Sequence, residues 1–343
     1  MNCLDLFSGI GGMTMNLNVN YVSMVEIDPH AREILQKRYP GIPIHDDIRT
    51  LDPTLLPPFD LITGGFPCQD ISSAGKRKGL DGDKSSLYFE VLRLVRLSRP
   101  KWVYLENVAN IVSMPEVLQV VVDTLTSEGY DLTWCVLQAS QCGSPMIRKR
   151  WFCLCKRVRA ASEMKVVLPE KLPKNGIVVG GVFVESSLPP LPDHKVRIEL
   201  VPLLHDTGCK GNVVTRSIFK SAWATPRTKL SHACRNLTRR GAMDLGSQLR
   251  FAKSTPDDQR HLSVPNIEWV EWLMGLPIGW TDLTREVPLA HNKWLKEPSP
   301  RLGVSSKEAK RRHWRLGNMC VPQCSKLAYD ILMARLVRSS MAL

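Results

Sequence analysis

A cysteine that follows a predicted strand is the first candidate for chemistry. Cys68 stands in the sequence Gly-Gly-Phe-Pro-Cys-Gln at residues 64–69, directly after an apolar run at residues 59–63. A short apolar run bounded by prolines and glycines predicts a buried strand. Open α/β sheets place their ligands just beyond the carboxyl ends of their strands, so the Cys68 thiol is a candidate nucleophile. Considered alone, such a thiol is more often a buried structural cysteine.

A glycine-rich turn and a series of acidic residues lie at the ends of other predicted strands. Residues 2–7 form a predicted strand, followed by the turn Ser-Gly-Ile-Gly-Gly-Met and a predicted helix to about residue 17. This order lets the backbone approach a nucleotide-like ligand closely. Glu26 lies near the end of the next predicted strand, 17 residues after Gly9, where a carboxylate can hold ribose hydroxyls. Asp47 and Glu106 follow two further predicted strands.

The elements that position these residues alternate between strands and helices. Helices are predicted from Pro29 to residue 39, with Asp28 as N-cap, and at residues 87–97 and 115–128. Strands are predicted at residues 42–45, 102–105, 132–138 and 151–155. The alternation predicts an α/β fold with a doubly wound, mainly parallel sheet. Glu106 and Cys68 are therefore expected at the same edge of the sheet.

Composition bounds the class of protein. The chain has 343 residues, 43% apolar and 23% charged, which is typical of a soluble globular protein with one large and one smaller domain. No apolar run approaches the roughly 18 residues of a membrane span, and the N-terminus lacks the pattern of a signal peptide. The ten cysteines show no framework or paired C-x-x-C spacing, which favours reduced thiols in a cytosolic or nuclear compartment and argues against a structural zinc site.

The charge is concentrated in the middle of the chain. The net charge is +13, and residues 156–260 hold 19 basic against 9 acidic residues, whereas residues 1–155 hold 15 against 17. Prolines and glycines also multiply after residue 156. The middle segment is therefore predicted to be a small, irregular second domain that faces a polyanion. Regular structure is predicted to resume with an amphipathic helix at residues 266–274 and a helical C-terminus from residue 307, broken at residues 317–323.

Taken together, the motifs resemble those of the DNA (cytosine-5) methyltransferases, most closely the compact bacterial and phage-type enzymes. The matching blocks follow the family's order: Asp5-Leu6-Phe7-Ser8-Gly9-Ile10-Gly11-Gly12; Glu26-Ile27-Asp28; Asp47-Ile48; Gly65-Phe66-Pro67-Cys68-Gln69; Glu106-Asn107-Val108; Arg148-x-Arg150; and Gly317-Asn318 with Val321-Pro322. Residues 268–280 look like the phage-type block that precedes the last motif. Residues 156–260 lie outside the resemblance, where the family keeps its variable target recognition domain.

The resemblance implies a Rossmann-like methyltransferase fold and an activity. Residues 1–155 and 262–343 are expected to form a discontinuous catalytic domain, and residues 156–261 the recognition domain. The implied reaction transfers a methyl group from S-adenosyl-L-methionine to carbon 5 of a cytosine flipped out of double-stranded DNA. Cys68 is the implied nucleophile at carbon 6, Glu106 the donor at N3, Arg150 the partner of O2, and Asn107 the residue that holds the Glu106 loop.

The resemblance also implies the contacts of the cofactor and of the DNA. The residues implied to bind the cofactor are Phe7, Gly9, Gly11, Glu26, Ile27, Asp47, Ile48, Leu87 and Asn318. The loop at residues 72–86 is expected to clamp the opened duplex, and the recognition domain to read the major groove. The basic residues expected to contact DNA are Lys76, Arg77, Lys78, Arg148, Arg227, Arg239 and Arg240.

Two positions depart from the family's pattern, and two other functions compete. Met146 replaces the usual glutamine before Arg148-x-Arg150, and Asp46 replaces the usual glycine before Asp47. The alternatives are a transfer RNA cytosine-5 methyltransferase of the same fold and a non-catalytic DNA-binding regulator. A nicotinamide dehydrogenase explains Cys68 poorly.

The expected protein is a monomer without membrane association or an obligatory protein partner. It is expected to be cytoplasmic and associated with the nucleoid of a bacterium or of a phage- or virus-infected host. A cognate restriction endonuclease acting separately is left open.

Overall fold

The computed structural model describes residues 1–67, 87–158, 166–185, 223–224, 264–288, 297–298 and 302–339. The strands in this part of the chain are β1 (Asn2–Leu6), β2 (Asn20–Val25), β3 (Ile44–His45), β4 (Leu61–Gly65), β5 (Trp102–Val108), β6 (Tyr130–Gln138), β7 (Met146–Ile147), β8 (Lys149–Arg157), β9 (Gly176–Val179), β10 (Val182–Glu185), β11 (Trp223–Ala224), β12 (Val264–Pro265) and β13 (Leu302–Gly303). The α-helices are α1 (Pro29–Arg38), α2 (Leu87–Ser98), α3 (Pro115–Ser127), α4 (Ile267–Leu273), α5 (Lys307–Asn318) and α6 (Pro322–Ser339).

One mixed sheet holds most of these strands, in the order β10-β9-β6-β8-β5-β4-β1-β2-β3. From β5 to β3 the neighbours are parallel, and the strands are nearly continuous buried apolar runs, as expected for strands covered on both faces. Strand β8 pairs antiparallel with both β5 and β6. The predicted α/β fold class is confirmed, with its parallel half carrying the strand ends on which the candidate site depends.

The glycine-rich turn differs from the prediction. Residues 9–17 form a series of turns, so the predicted helix to about residue 17 is wrong. In and just before the turn, Phe7, Gly9 and Gly11 have φ angles of 54°, 57° and 87°. These left-handed conformations cannot continue a right-handed helix. They turn the chain sharply at the end of β1.

The main sheet continues beyond residue 155, where the domain boundary is predicted. Strands β9 and β10 pair antiparallel, and β9 joins the main sheet beside β6. Residues 176–185 therefore extend the main sheet. Most of the predicted recognition domain, including Arg227, Arg239 and Arg240, lies outside the described residues. Its described strand β11 pairs in parallel with β7, immediately before Arg148.

The C-terminal helices pack back onto the sheet. The Tyr104 hydroxyl of β5 donates a hydrogen bond of 2.7 Å to the Ser325 carbonyl of α6. Gly12 approaches the segment between α5 and α6 so closely that an added Cβ would lie 2.4 Å from the Cys320 carbonyl oxygen. A side chain at Gly12 would therefore push the last motif away from the glycine turn. None of the described helices is long and apolar enough to cross a bilayer.

A buried arginine fastens α1 to the loop after α4. The guanidinium of Arg38 donates to the carbonyls of Gly279, Trp280, Asp282 and Arg285 at 2.6–2.8 Å. Burial lowers the pKa of Arg38. The ring of Trp280 lies 5.6 Å from the guanidinium carbon, within cation–π distance. These contacts hold the loop against α1.

We expect Arg38→Ala to lower the free energy of unfolding by about 3 kcal/mol or more, because it leaves buried carbonyls without donors. Urea unfolding of both proteins checks this. The control is Lys37→Ala, since Lys37 makes a surface ion pair with Glu286 and its loss should cost less than about 1 kcal/mol. Equal losses in the two variants would contradict the structural role of Arg38.

Candidate active site

The carboxyl edge of the parallel strands gathers the residues predicted to carry the chemistry. Strand β4 ends at Gly65, and the described chain continues through Phe66 and Pro67. Cys68, and with it Lys76, Arg77 and Lys78, lies outside the described residues. The last described residue of this segment is Pro67.

Glu106 and Arg150 form a shielded ion pair beside the end of β4. The Arg150 Nε lies 2.9 Å from the Glu106 Oε1, and the two side chains are 18% and 14% exposed. The pairing of β5 with β8 places Val108 opposite Arg150, which puts residues 106 and 150 on the same face of the sheet. The two predicted residues are therefore brought together by strands that lie far apart in sequence.

Burial raises the pKa of Glu106, and the positive charges of Arg150 and Arg148 oppose the rise. A carboxyl group with a raised pKa retains its proton more readily near neutral pH and can donate a hydrogen bond. Gly65 lies opposite Glu106 in the β4–β5 ladder, where an added Cβ would stand 3.0 Å from Oε2. The glycine thus leaves room for the carboxyl group at the strand end.

Asn107 ties the Glu106 strand to the Cys68 segment. Its side-chain amide donates a hydrogen bond of 2.8 Å to the Phe66 carbonyl, two residues before Cys68. Its Oδ1 accepts from the Val108 N–H at 2.8 Å, so both ends of this buried side chain are engaged. The role predicted for Asn107, holding the loop, stays a prediction, and this geometry suits it.

Arg148 does not suit its predicted contact with DNA phosphate. Its side chain is 2% exposed and donates to the carbonyls of Gly317 and Met319 at 3.1 and 2.6 Å. Burial, reinforced by the charge of Arg150, lowers the pKa of Arg148 to about 9. The guanidinium therefore fastens the last motif to β8, and the exposed cation in this segment is Lys149.

Met146, the residue that replaces the family's glutamine, is also buried. Its side chain is fully inaccessible and belongs to the apolar core. Its backbone lies in β7, beside β11. The substitution therefore affects packing at this junction. Asp46, the second departure, is exposed after β3.

The predicted cofactor residues cluster where β1, β2 and β3 end. The Glu26 carboxylate accepts hydrogen bonds from the backbone N–H groups of Gly9 (2.7 Å) and Asp28 (2.8 Å), which orient it toward the glycine turn. Burial raises the pKa of Glu26, and these two bonds counteract the rise. Ile27 is 66% exposed, which is unusual for a large apolar side chain beside a polar cleft. It offers a free surface to a flat apolar ligand.

The other predicted cofactor residues are arranged less uniformly. Asp47 pairs with Arg49, and this hydrogen-bonded pair lowers the pKa of Asp47 to about 2. Ile48 is 4% exposed and lies in the core, which leaves little of its side chain for a ligand. Leu87 is partly buried at the start of α2, and Asn318 is exposed at the end of α5. Asp47 and Asn318 thus remain available at the surface, whereas Ile48 serves packing.

Sequence reasoning missed a buried acid beneath the glycine turn. Asp5 is 1% exposed and accepts hydrogen bonds from the hydroxyls of Thr63 and Thr14. Burial raises the pKa of Asp5 to about 6. The signal in the sequence is a carboxylate inside an otherwise apolar strand. Its hydrogen bonds join β1, β4 and the turn.

Stability should therefore depend on Asp5 between about pH 4 and 6. Its folded pKa of about 6 exceeds the ordinary value of 3.8, so the unfolded chain releases this proton first. The contribution is fully present below pH 4 and is lost as the pH rises through 6, by up to about 3 kcal/mol. We expect the difference in unfolding free energy between the protein and Asp5→Asn to change by this amount in urea titrations. A difference that is constant with pH would contradict the prediction.

A second missed acid fixes the loop after α4. Glu271 is completely buried and accepts hydrogen bonds from the N–H groups of Gly279 (2.6 Å) and Thr281 (2.8 Å), while Arg312 lies 3.3 Å away. In this loop the Trp280 indole N–H donates to the Ile10 carbonyl at 2.8 Å. The phage-type block therefore buttresses the glycine turn.

Comparison with known proteins identifies the class. The family model for the C-5 cytosine-specific DNA methylase matches residues 1–199, more than half of the chain. The chain belongs to this family. The match includes all the strands of the nine-stranded sheet and the edge that holds Glu106 and Arg150. It extends to residue 199 and so past β10, which agrees with the late end of the sheet.

Particular relatives are bacterial type II methyltransferases. The chain is 36% identical over 197 residues to M.HgiDI of Herpetosiphon aurantiacus, covering 54% of this chain and 62% of the relative. It is 34% identical to M.HhaI of Haemophilus parahaemolyticus over 45% of this chain and 48% of the relative. For M.NgoBV of Neisseria gonorrhoeae the identity is also 34%, over 43% and 39%. The matches thus span roughly two fifths to three fifths of these relatives.

Solved structures agree on the fold. The S. pombe Dnmt2 methyltransferase superposes with a TM-score of 0.55 at 18% identity, covering 98% of this chain and 99% of that one. The Entamoeba histolytica methyltransferase EhMeth gives 0.53 at 14%, covering 98% of both. At this identity the likeness concerns architecture.

Proposed function

We propose that this protein transfers a methyl group from S-adenosyl-L-methionine to carbon 5 of a cytosine in duplex DNA. The observation that carries the proposal is the shielded Glu106–Arg150 pair, held at the same strand edge as the Cys68 segment. A protonated carboxyl group beside a guanidinium matches the acceptor atoms N3 and O2 of a cytosine ring. Family membership supports the same chemistry.

The reaction needs a nucleophile because carbon 5 of cytosine is a weak one. Addition of the Cys68 thiolate to carbon 6 makes the ring enamine-like, so that carbon 5 can take the methyl group. Glu106 donates to N3 as electron density builds on the ring, and Arg150 stabilises the charge at O2. Loss of the carbon 5 proton and elimination of the Cys68 sulfur then restore the aromatic ring.

The glycine turn and the adjoining strand ends fit S-adenosyl-L-methionine. The left-handed Gly9 and Gly11 allow the backbone close approach, the oriented Glu26 carboxylate can accept from ribose hydroxyls, and Ile27 offers an apolar face to the adenine. When bound, the cofactor supplies an electrophilic methyl group. Asp47 and Asn318 complete the site proposed for it.

Duplex DNA must deliver its base to this shielded pair outside the helical stack. Flipping the base costs a few kcal/mol, which contacts to the opened duplex offset. The basic loop with Lys76, Arg77 and Lys78 is proposed to supply such contacts, and Lys149 replaces Arg148 as the phosphate contact on β8. We accordingly expect the protein to act on DNA inside a bacterium or inside a phage- or virus-infected cell.

Methyl transfer from labelled cofactor to duplex DNA and to transfer RNA tests the proposal. Label is expected in DNA, and label in transfer RNA alone would overturn the choice of substrate. A preparation that binds DNA without transferring label, and that Cys68→Ser leaves unchanged, would support a non-catalytic regulator. A cognate restriction endonuclease that acts separately stays a prediction. Expression of this protein in cells that lack such an endonuclease can examine it.

A further inference from the structure

The exposed face of α5 is basic and carries an exposed tryptophan. Lys307, Lys310, Arg311 and Trp314 follow the spacing i, i+3, i+4 and i+7 and therefore share one side of the helix. All four are exposed, and Trp314 is 45% accessible, the only tryptophan so exposed among residues whose burial is described. The opposite side of α5 is buried through His313, Arg315 and Leu316. The helix is thus anchored on one side and free on the other.

Among the described residues, these cations have no strong ion-pair partner. The Arg311 guanidinium lies 4.0 Å from the Glu308 carboxylate, at the limit of an ion pair. Neither Lys307 nor Lys310 pairs with a carboxylate in the part of the chain that the structure describes. Helix α5 holds five Lys and Arg residues against one Glu. An unpaired basic face beside an accessible aromatic ring is the usual surface for a nucleic acid backbone.

The anchored side fixes the location of this face relative to the candidate active site. The Gly317 carbonyl near the end of α5 accepts from Arg148, two residues before Arg150 on β8. Arg315 lies 3.0 Å from the Asp28 carboxylate, at the end of β2. With a rise of about 1.5 Å per residue, Lys310 and Lys307 stand about 10 and 15 Å along the helix from Gly317. A duplex carries one phosphate charge per roughly 1.7 Å of its axis, both strands counted. A duplex that delivers its base to Arg150 therefore presents several phosphates over this distance.

We propose that the Lys307–Lys310–Arg311–Trp314 face of α5 binds the phosphate backbone of the substrate duplex, outside the recognition domain and the Cys68 loop. The inference rests on the proposed function, since it takes duplex DNA as the substrate. The lysines and arginine neutralise phosphates, and the Trp314 ring packs on the sugars between them. This contact is independent of base sequence and sets the approach of the DNA to the catalytic edge.

Salt titrations of binding to a duplex of arbitrary sequence test the contact. The double variant K307E/K310E is expected to bind roughly tenfold more weakly near 0.1 M salt and to reduce the salt slope by about 2. Trp314→Ala should weaken binding without changing the slope. Lys307 lies in the N-terminal turn of α5, where the helix dipole favours a carboxylate. K307E should therefore not weaken binding by unfolding the helix. Thermal unfolding and cofactor binding verify that the variants are folded.

The matched control compares single charge reversals. K310E should weaken DNA binding. K101E changes the residue directly before β5, at the amino ends of the parallel strands and opposite to the catalytic edge, and should leave DNA binding near the wild-type value. Equal losses in both, or a double variant with wild-type affinity and slope, would overturn the inference. The proposed function fails separately, if the wild-type protein transfers no methyl group to DNA. Weakened binding by K307E/K310E beside normal methylation by the wild type supports both.

Discussion

Cys68→Ser is expected to abolish methyl transfer, with a loss of at least about 10³-fold in kcat. A serine hydroxyl remains protonated near neutral pH and adds to carbon 6 of the ring far more slowly than a thiolate. The affinities for cofactor and duplex DNA should stay close to the wild-type values, because the substitution is nearly isosteric. Single-turnover kinetics with labelled cofactor, together with binding measurements, separate the two effects.

Cys142→Ser is the matched control, because Cys142 is a partly accessible cysteine outside a disulfide. This variant should keep most of the activity. Wild-type turnover by Cys68→Ser would show that another group, or no covalent adduct, carries the reaction.

Glu106→Gln is expected to lower kcat by roughly 10²- to 10³-fold while leaving DNA affinity little changed. The amide can still donate a hydrogen bond to N3, but it supplies no proton as the ring becomes electron-rich. It also removes the charge that pairs with Arg150 at 2.9 Å. The loss should therefore appear in kcat more than in KM.

The pH dependence gives the Glu106 prediction a second readout. Because burial raises the pKa of Glu106, activity that requires its protonated form should decline as the pH rises through that pKa. This limb of the pH profile should be missing in Glu106→Gln. The control Glu116→Gln changes an exposed carboxylate at the start of α3 and should leave rate and profile unchanged. A Glu106→Gln profile identical to the wild type would contradict the donor role.

The sequence located the parallel half of the fold because local signals were strong there. Apolar runs ending in Gly65 and Glu106, and the Asp28 cap that accepts from His30 and Ala31, are short-range features. The pairing of Glu106 with Arg150 is of another kind. It depends on β8 entering the sheet between β5 and β6, which periodicity along the chain cannot show. The family resemblance named both residues without giving their contact.

Buried charges were the main failure of sequence reasoning. The family resemblance implied a phosphate contact for Arg148, yet its partners are carbonyls about 170 residues away. Glu271 and Asp5 were overlooked because each interrupts an apolar pattern only once. Asp5 accepts from Thr63 on another strand, and Glu271 accepts from the loop that follows its own helix, so their burial becomes evident only in the folded chain.

The most direct test of the central claim is bisulfite sequencing of DNA from cells that express this protein. The reaction at Cys68 should leave 5-methylcytosine, which resists conversion, at one defined sequence in cells with the wild-type protein. The same sites should convert fully in cells with Cys68→Ser. Complete conversion at every cytosine in cells that contain folded wild-type protein would contradict the claim that it methylates DNA.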